Sequence, residues 1–88
     1  MKTRCTLALG DRSVPATILN LSDQGALLSF EKTAGEVVTD DELGAEATFV
    51  LSTVTPHRKY IGEIIRSYYL DGAQQVALRF WKKYTTVP

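Results

Sequence analysis

The chain has 88 residues, of which 44% are hydrophobic, and its 10 lysines and arginines balance its 10 aspartates and glutamates. This length allows one domain with a single modest core, and the composition is typical of a globular chain rather than a disordered one. A net charge of zero argues against non-specific binding of DNA or RNA, which depends on a strong positive field.

Alternating apolar residues predict β-strands in the first third of the chain. Residues 5–9 alternate with a period of two, and Gly10-Asp11 follows as a turn signal. The alternation returns at residues 14–19, where Pro15 lacks an N–H and so indicates an edge or a strand start. After a polar corner, residues 26–30 form an apolar run of strand length.

The rest of the chain predicts a long connection and a second group of strands. Residues 31–45 are polar and acidic and form the connection, with one helical turn expected at residues 40–43. Strand-forming residues then predict three strands, at residues 47–54, 60–69 and 75–81. Asp71-Gly72 is a typical hairpin turn, and residues 82–88 are expected to be a polar tail.

About six strands joined by short turns and one long acidic loop predict a closed antiparallel β-barrel. Residues 61–68 also fit a helical spacing, but β-branched residues, Gly62 and the Asp-Gly turn that follows favour a hairpin. We therefore expect a single domain over residues 1–88, with a core over residues 4–81.

The reactive side chains are few. The one cysteine, Cys5, allows no intrachain disulfide and lies in an apolar alternation, which indicates a buried thiol. His57 is the one histidine, and a zinc site needs more ligands than these two residues supply. No apolar run approaches the ~18 residues of a membrane span, and no signal-peptide core follows Lys2. We expect a cytoplasmic protein that is not an enzyme, since no nucleophile–base pair or paired carboxylates are apparent.

The polar corner Asn20-Leu21-Ser22-Asp23-Gln24-Gly25 presents an amide, a hydroxyl and a glycine at its first, third and sixth positions. This corner resembles the second motif of PilZ domains, bacterial modules that bind the second messenger cyclic di-GMP. That motif is Asp or Asn, any residue, Ser, two more residues, then Gly. Residues 62–66 and 76–80 resemble the last two strands of the same family, so the resemblance extends over residues 4–81.

The resemblance implies a six-stranded PilZ-like barrel, here with little or no C-terminal helix, and a regulatory module that relays cyclic di-GMP to a partner protein or domain. It implies four ligand-binding residues: Arg4, Asn20, Ser22 and Gly25. Arg4 matches the second of two arginines that lie four apart in the family's first motif, and the first would precede Met1. An arginine fork suits both guanine and phosphate, whereas Lys2 offers only a point charge.

Each of these residues also has a structural interpretation. Arg4 can be a solvated charge, and Asn20 or Ser22 can bond to the backbone of the corner itself. For Gly25 we favour a positive φ angle over close approach of the backbone to a ligand. Arg79 is expected to point outward and form a surface ion pair.

Alternative functions remain open at this point. The absent first arginine favours a degenerate PilZ-like adaptor that acts through protein–protein contacts without binding the nucleotide. A third option is a domain of a longer protein that carries the missing arginine upstream. A barrel that binds single-stranded nucleic acid is more distant, because the net charge is zero. Trp81 and Tyr84 are expected to close one barrel end, and a homodimer or a docked partner would cover any apolar surface left exposed.

Overall fold

Seven β-strands form one antiparallel sheet that closes into a barrel in the computed structural model, which describes residues 2–87. The strands are β1 (Thr3–Leu9), β2 (Arg12–Leu21), β3 (Gly25–Ser29), β4 (Glu46–Leu51), β5 (His57–Leu70), β6 (Ala73–Phe80) and β7 (Thr85–Val87). Six of them follow one another in the order β4, β1, β2, β3, β6, β5, and pairing of β5 with β4 completes the ring. The predicted six-stranded antiparallel barrel is confirmed.

The helical segments outside the barrel strands are short. Two 3₁₀ turns, Lys32–Ala34 and Asp40–Glu42, lie in the long connection between β3 and β4, and the second agrees with the predicted helical turn. Across residues 2–87 no helix is long and apolar enough to cross a membrane. Met1 and Pro88, the two ends of the predicted domain, lie outside the described residues.

Alternating side chains fill the barrel interior, as the period of two predicts. Each barrel strand contributes an apolar side chain that is at most 2% exposed, among them Leu7, Ile18, Leu28, Phe49, Ile64 and Val76. Since all six barrel strands contribute, one continuous core supports every strand that carries a predicted site residue.

Aromatic rings close one end of the barrel. Tyr60 stacks on Phe49 with ring centroids 5.1 Å apart and contacts Phe80 at 4.8 Å. Tyr84 packs on Tyr60 at 5.5 Å, so it covers this end as predicted. Trp81 does not, since 53% of it is exposed. Of the two residues predicted to cover this end of the barrel, Tyr84 does so and Trp81 does not.

The predicted polar tail contains β7, which pairs with the first residues of β5, from His57↔Val87 to Lys59↔Thr85. The strand-forming residues Thr85, Thr86 and Val87 explain the pairing. Lys82 and Lys83, which precede them, are exposed and give the segment its polar character. The tail thus adds a seventh strand beside the barrel instead of leaving the C-terminal segment unpaired.

The β5–β6 hairpin turns at Asp71-Gly72, as predicted. Both residues have positive φ angles, 52° and 82°, which is the signature of the tight turns that match the twist of antiparallel strands. This turn fixes the register of β6 against β5, from Leu70↔Ala73 onward. The register matters for function because it decides which side chains of β5 and β6 share a row on the outer face.

A buried glutamine holds the acidic connection against the barrel. Gln74 is 1% exposed, and its Oε1 accepts hydrogen bonds from the backbone N–H groups of Val37 (2.7 Å) and Val38 (3.1 Å). Its Nε2 donates to the carbonyl of Val38 and to Oγ of Ser67, both at 2.7 Å. The amide therefore makes the backbone hydrogen bonds that a neighbouring strand would make. These bonds allow Val37 and Val38, two apolar residues of a polar loop, to be buried in the core.

The same connection is tied down from the outside by Arg12. Its Nη1 donates to the carbonyl of Val37 at 2.9 Å, and its Nη2 pairs with the carboxylate of Glu42. Glu42 also accepts a hydrogen bond from the backbone N–H of Thr39 (3.0 Å) in a capping box. This backbone hydrogen bond, with the nearby Arg12 charge, lowers the pKa of Glu42.

Candidate ligand-binding site

The corner between β2 and β3 is organised by Ser22. Its backbone N–H donates to the carbonyl of Gly25 at 2.9 Å, and its Oγ accepts from the N–H groups of Gln24 (3.2 Å) and Gly25 (3.3 Å). These bonds satisfy the backbone of a turn that lies outside the sheet ladder. The hydroxyl thus has the structural role that was one of its two interpretations, and it remains at the exposed surface.

A β-bulge places Asn20 on the outer face of the barrel. Ile18 lies opposite Leu28 and Asn20 opposite Leu27, so Leu19 is an extra residue in β2. Ile18 is fully buried, and without the extra residue Asn20 would point into the core as well. Instead its carboxamide is exposed and makes no hydrogen bond within residues 2–87, so the Asx turn that was one of its two interpretations does not form.

The prediction of a positive φ angle at Gly25 is wrong. Its φ is not among the positive ones, which belong to other glycines. A Cβ at this position would lie 2.3 Å from the carbonyl oxygen of Leu78, far inside van der Waals contact. Glycine is needed at residue 25 because the backbone of β6 approaches β3 here, at the pair Gly25↔Arg79.

Three of the four predicted site residues line one shallow cleft of about 190 Å³ on the outer surface. Its walls are formed by Asn20, Ser22, Gly25, Ala26, Leu27 and Leu78. At the corner between β2 and β3 the cleft brings together the amide of Asn20, the hydroxyl of Ser22 and the apolar side chain of Leu27. That combination can hold one edge of a planar heterocycle and leave the rest of a larger ligand on the surface.

Arg4 does not line this cleft. Its side chain is 67% exposed and donates to Oε1 of Glu31 at 3.3 Å. Arg4 lies opposite Thr17 in β2, so its Cα is roughly 10 Å from that of Asn20 by strand spacing and rise. The two residues share the outer face, but a ligand that reaches Arg4 has to compete with Glu31.

Arg4 borders a second and larger hollow of about 500 Å³ between β1 and β4. The hollow exists because these strands meet at one residue pair, Ala8↔Thr48, and diverge beyond it. Cys5 also lines it, and burial raises the pKa of its thiol to about 11, against the opposing effect of the Arg4 charge. A thiol with this pKa is protonated at neutral pH and is a poor nucleophile.

Arg66 joins the outer face through a second bulge. Ile64 lies opposite Leu78 and Arg66 opposite Ala77, so Ile65 is the extra residue in β5. Because Ala77 lies opposite Leu27, and Leu27 opposite Asn20, one row runs Asn20, Leu27, Ala77, Arg66 across four strands. The sequence alone left the face of Arg66 undecided, and the bulge that decides it has no signal in the composition.

The guanidinium of Arg66 rests on an aromatic ring. Its Cζ lies 5.5 Å from the ring centroid of Tyr68, whose hydroxyl donates to Oε1 of Gln75 at 3.3 Å. Arg66 forms no ion pair with a carboxylate of residues 2–87. By contrast Arg79 pairs with Glu63 at 3.2 Å, which confirms the predicted surface ion pair.

Comparison with known proteins adds no relative. No protein-family model matches the chain, and a search of curated proteins found no similar sequence. The PilZ interpretation therefore stays a prediction from the corner motif and the strands that surround it.

Proposed function

We propose that this protein is a bacterial regulatory module that binds cyclic di-GMP and relays its presence to a partner protein or domain. The observation that carries the proposal is the shared cleft. Asn20, Ser22 and Gly25, the three residues of the PilZ-like motif, line one surface cleft on a six-stranded barrel. A chance match to a six-residue motif has no reason to lie in register with the barrel and beside a cleft.

The chemistry of the cleft suits a guanine nucleotide. The carboxamide of Asn20 has both a donor and an acceptor free, so it can pair with a base edge without breaking an existing bond. Leu27 supplies an apolar surface for the flat side of a base. The phosphates of the ligand require a cation, and Arg4 lies on the strand next to Asn20, with roughly 10 Å between the two Cα atoms.

Calorimetric titration of cyclic di-GMP into the protein tests the proposal, and Asn20→Ala is its sharpest variant. The Asn20 side chain makes no bond within the described chain, so its removal leaves folding intact while it removes ligand contacts. We expect affinity to fall by about tenfold, the loss of one or two hydrogen bonds at roughly 0.5–1.5 kcal/mol each.

Gln24→Ala is the matched control for that titration. Gln24 carries the same amide group, lies in the same corner and is exposed, but its side chain does not line the cleft. The affinity of the Gln24→Ala variant for cyclic di-GMP should equal that of the wild type. An absence of heat with the wild-type protein up to high micromolar ligand contradicts the proposal, and equal losses in both variants would show that the cleft is not the binding site.

The alternative is an adaptor of the same fold that acts through protein contacts without the nucleotide. It is favoured by the Arg4–Glu31 pair, which engages the one motif arginine, and by exposed apolar side chains near the β5–β6 hairpin. Those side chains are Ile65, Tyr69 and Leu70, each about half exposed. A wild-type protein that binds no cyclic di-GMP but associates with itself in sedimentation would support this adaptor.

A further inference from the structure

An arginine of β6 lies at the edge of the candidate cleft. We infer that Arg79 binds a phosphate of the ligand held in the cleft, and that Glu63 holds the Arg79 guanidinium away from this position in the free protein. The inference rests on the proposed function and adds a binding residue outside the PilZ-like motif. Three observations carry it: the position of Arg79 beside the cleft, the missing side chain of Gly25 opposite it, and the exposure of its ion pair.

The strand register places Arg79 beside the cleft. Leu78, the residue before it, lines the cleft, and so does Gly25, the residue opposite it in β3. The residue after it is Phe80, whose N–H donates to the carbonyl of Gln24 in the corner at 2.8 Å. Arg79 therefore lies between two residues of β6 that contact the cleft or the corner. One strand spacing, about 5 Å, separates its Cα from that of Gly25.

The path from the cleft to the guanidinium is open. The cleft is lined from Asn20 of β2 to Leu78 of β6, on the two sides of β3, so a ligand in it already touches β6. Leu78 is buried and Arg79 is exposed, because successive side chains of a strand point to opposite faces. Gly25 has no side chain to separate them. A phosphate one sugar away from a base in the cleft is therefore within reach of the long Arg79 side chain.

In the free protein the guanidinium is turned to the opposite side. Glu63 lies opposite Arg79 in β5, and its Oε1 accepts hydrogen bonds from Nη2 of Arg79 and from Nε1 of Trp81, both at 3.2 Å. Since 65% of the Arg79 side chain is exposed, this ion pair contributes little free energy. A phosphate accepts two parallel N–H bonds from an arginine and is the better partner. Trp81 still donates to Glu63 when Arg79 leaves, so the carboxylate keeps a hydrogen bond.

Calorimetric titration of cyclic di-GMP into Arg79→Ala tests the binding role, with Arg58→Ala as the control. Both variants lose one arginine, but Arg58 lies over Tyr84, five residues before Glu63 in β5 and roughly 17 Å from it. We expect Arg79→Ala to bind about tenfold more weakly than the wild type, as loss of a charge-assisted hydrogen bond does. Arg79→Lys keeps the charge without the planar fork, so its affinity should lie between the two. Arg58→Ala should bind like the wild type.

Glu63→Gln tests the role of the carboxylate, because it should change the affinity in the opposite direction. Without the ion pair Arg79 turns to the ligand at no cost, so we expect binding about two- to fivefold tighter than that of the wild type. Glu46→Gln controls for the loss of one negative charge, since Glu46 lies opposite Glu63 in β4, is exposed and forms no ion pair within residues 2–87. In the double variant Glu63→Gln with Arg79→Ala the gain should disappear.

The outcomes separate the inference from the proposed function, and thermal unfolding of each variant checks that the fold persists. If the wild type binds, Asn20→Ala binds weakly and Arg79→Ala binds normally, then the function stands and the role of Arg79 is overturned. Glu63→Gln that binds no tighter than Glu46→Gln, or a gain that survives in the double variant, overturns the role of Glu63. If the wild type itself binds no cyclic di-GMP, the proposed function fails first and the inference fails with it.

Discussion

Replacement of Gln74 by methionine should lower the free energy of unfolding strongly, although the two side chains have a similar shape. Methionine is unbranched and similar in length, but its thioether cannot donate a hydrogen bond and accepts only weakly. Gln74→Met would leave three backbone groups without partners: the N–H groups of Val37 and Val38 and the carbonyl of Val38. Both valines are buried, so water does not replace the amide without a movement of the loop.

The size of the effect follows from these three groups. Each unsatisfied buried backbone group costs about 1–3 kcal/mol. Because the connection can shift and admit water, the lower end applies, and we expect the free energy of unfolding to fall by about 3 kcal/mol. Domains of this size are stabilised by only about 5–15 kcal/mol, so the loss is a large fraction of the total.

Urea denaturation measures this loss, with Gln75→Met as the control. Gln75 is the neighbouring residue and is also largely buried, but its side chain accepts one bond, from the hydroxyl of Tyr68 at 3.3 Å. Its replacement should cost about 1 kcal/mol or less. The m-values of all three proteins should be equal. The role assigned to the Gln74 amide is refuted if Gln74→Met lowers the free energy of unfolding by less than about 1 kcal/mol, or by no more than Gln75→Met does.

Two other predictions concern Gly25 and Glu42. Gly25→Ala should lower the free energy of unfolding by about 2 kcal/mol or more, since its Cβ would overlap the carbonyl oxygen of Leu78. Thermal unfolding measures this loss, with Ser29→Ala on the same strand as the control. A loss no larger than that of Ser29→Ala would contradict the close approach of β6 to Gly25. Because the pKa of Glu42 is lowered in the folded state, its contribution is fully present above its unfolded pKa and is lost as the pH falls through the lower folded value. Glu42→Gln should therefore flatten the acid limb of stability against pH, whereas Glu36→Gln, at an exposed residue without an ion pair in residues 2–87, should leave that limb unchanged.

The strands were predictable because their signals are local. Period-two alternation gave the N-terminal strands, and the Asp71-Gly72 turn gave the last hairpin. The bounds were less exact: β4 ends at Leu51 and not at residue 54, and β5 starts earlier than residue 60, at His57. A strand ends where its partner stops pairing, and that depends on residues elsewhere in the chain.

What the sequence did not reveal depends on contacts between distant segments. Gln74 looks like a surface residue because its role is set by a loop 36 residues away. Gly25 looks like a turn glycine because the approach of Leu78 is a property of the folded sheet. The extra residues of the two bulges, Leu19 and Ile65, are apolar like their neighbours, so no change of composition marks them.

The two bulges connect the stability of the barrel to its candidate binding face. With uninterrupted alternation, Asn20 would follow Ile18 into the core, and Arg66 would follow Ile64. Burial of an unpaired amide costs about 1–3 kcal/mol, and burial of an unpaired charge costs far more. One extra residue in each strand is a smaller penalty, because the bulged residue stays near the surface. The outward positions of the amide and of the guanidinium are therefore a consequence of keeping each group out of the core.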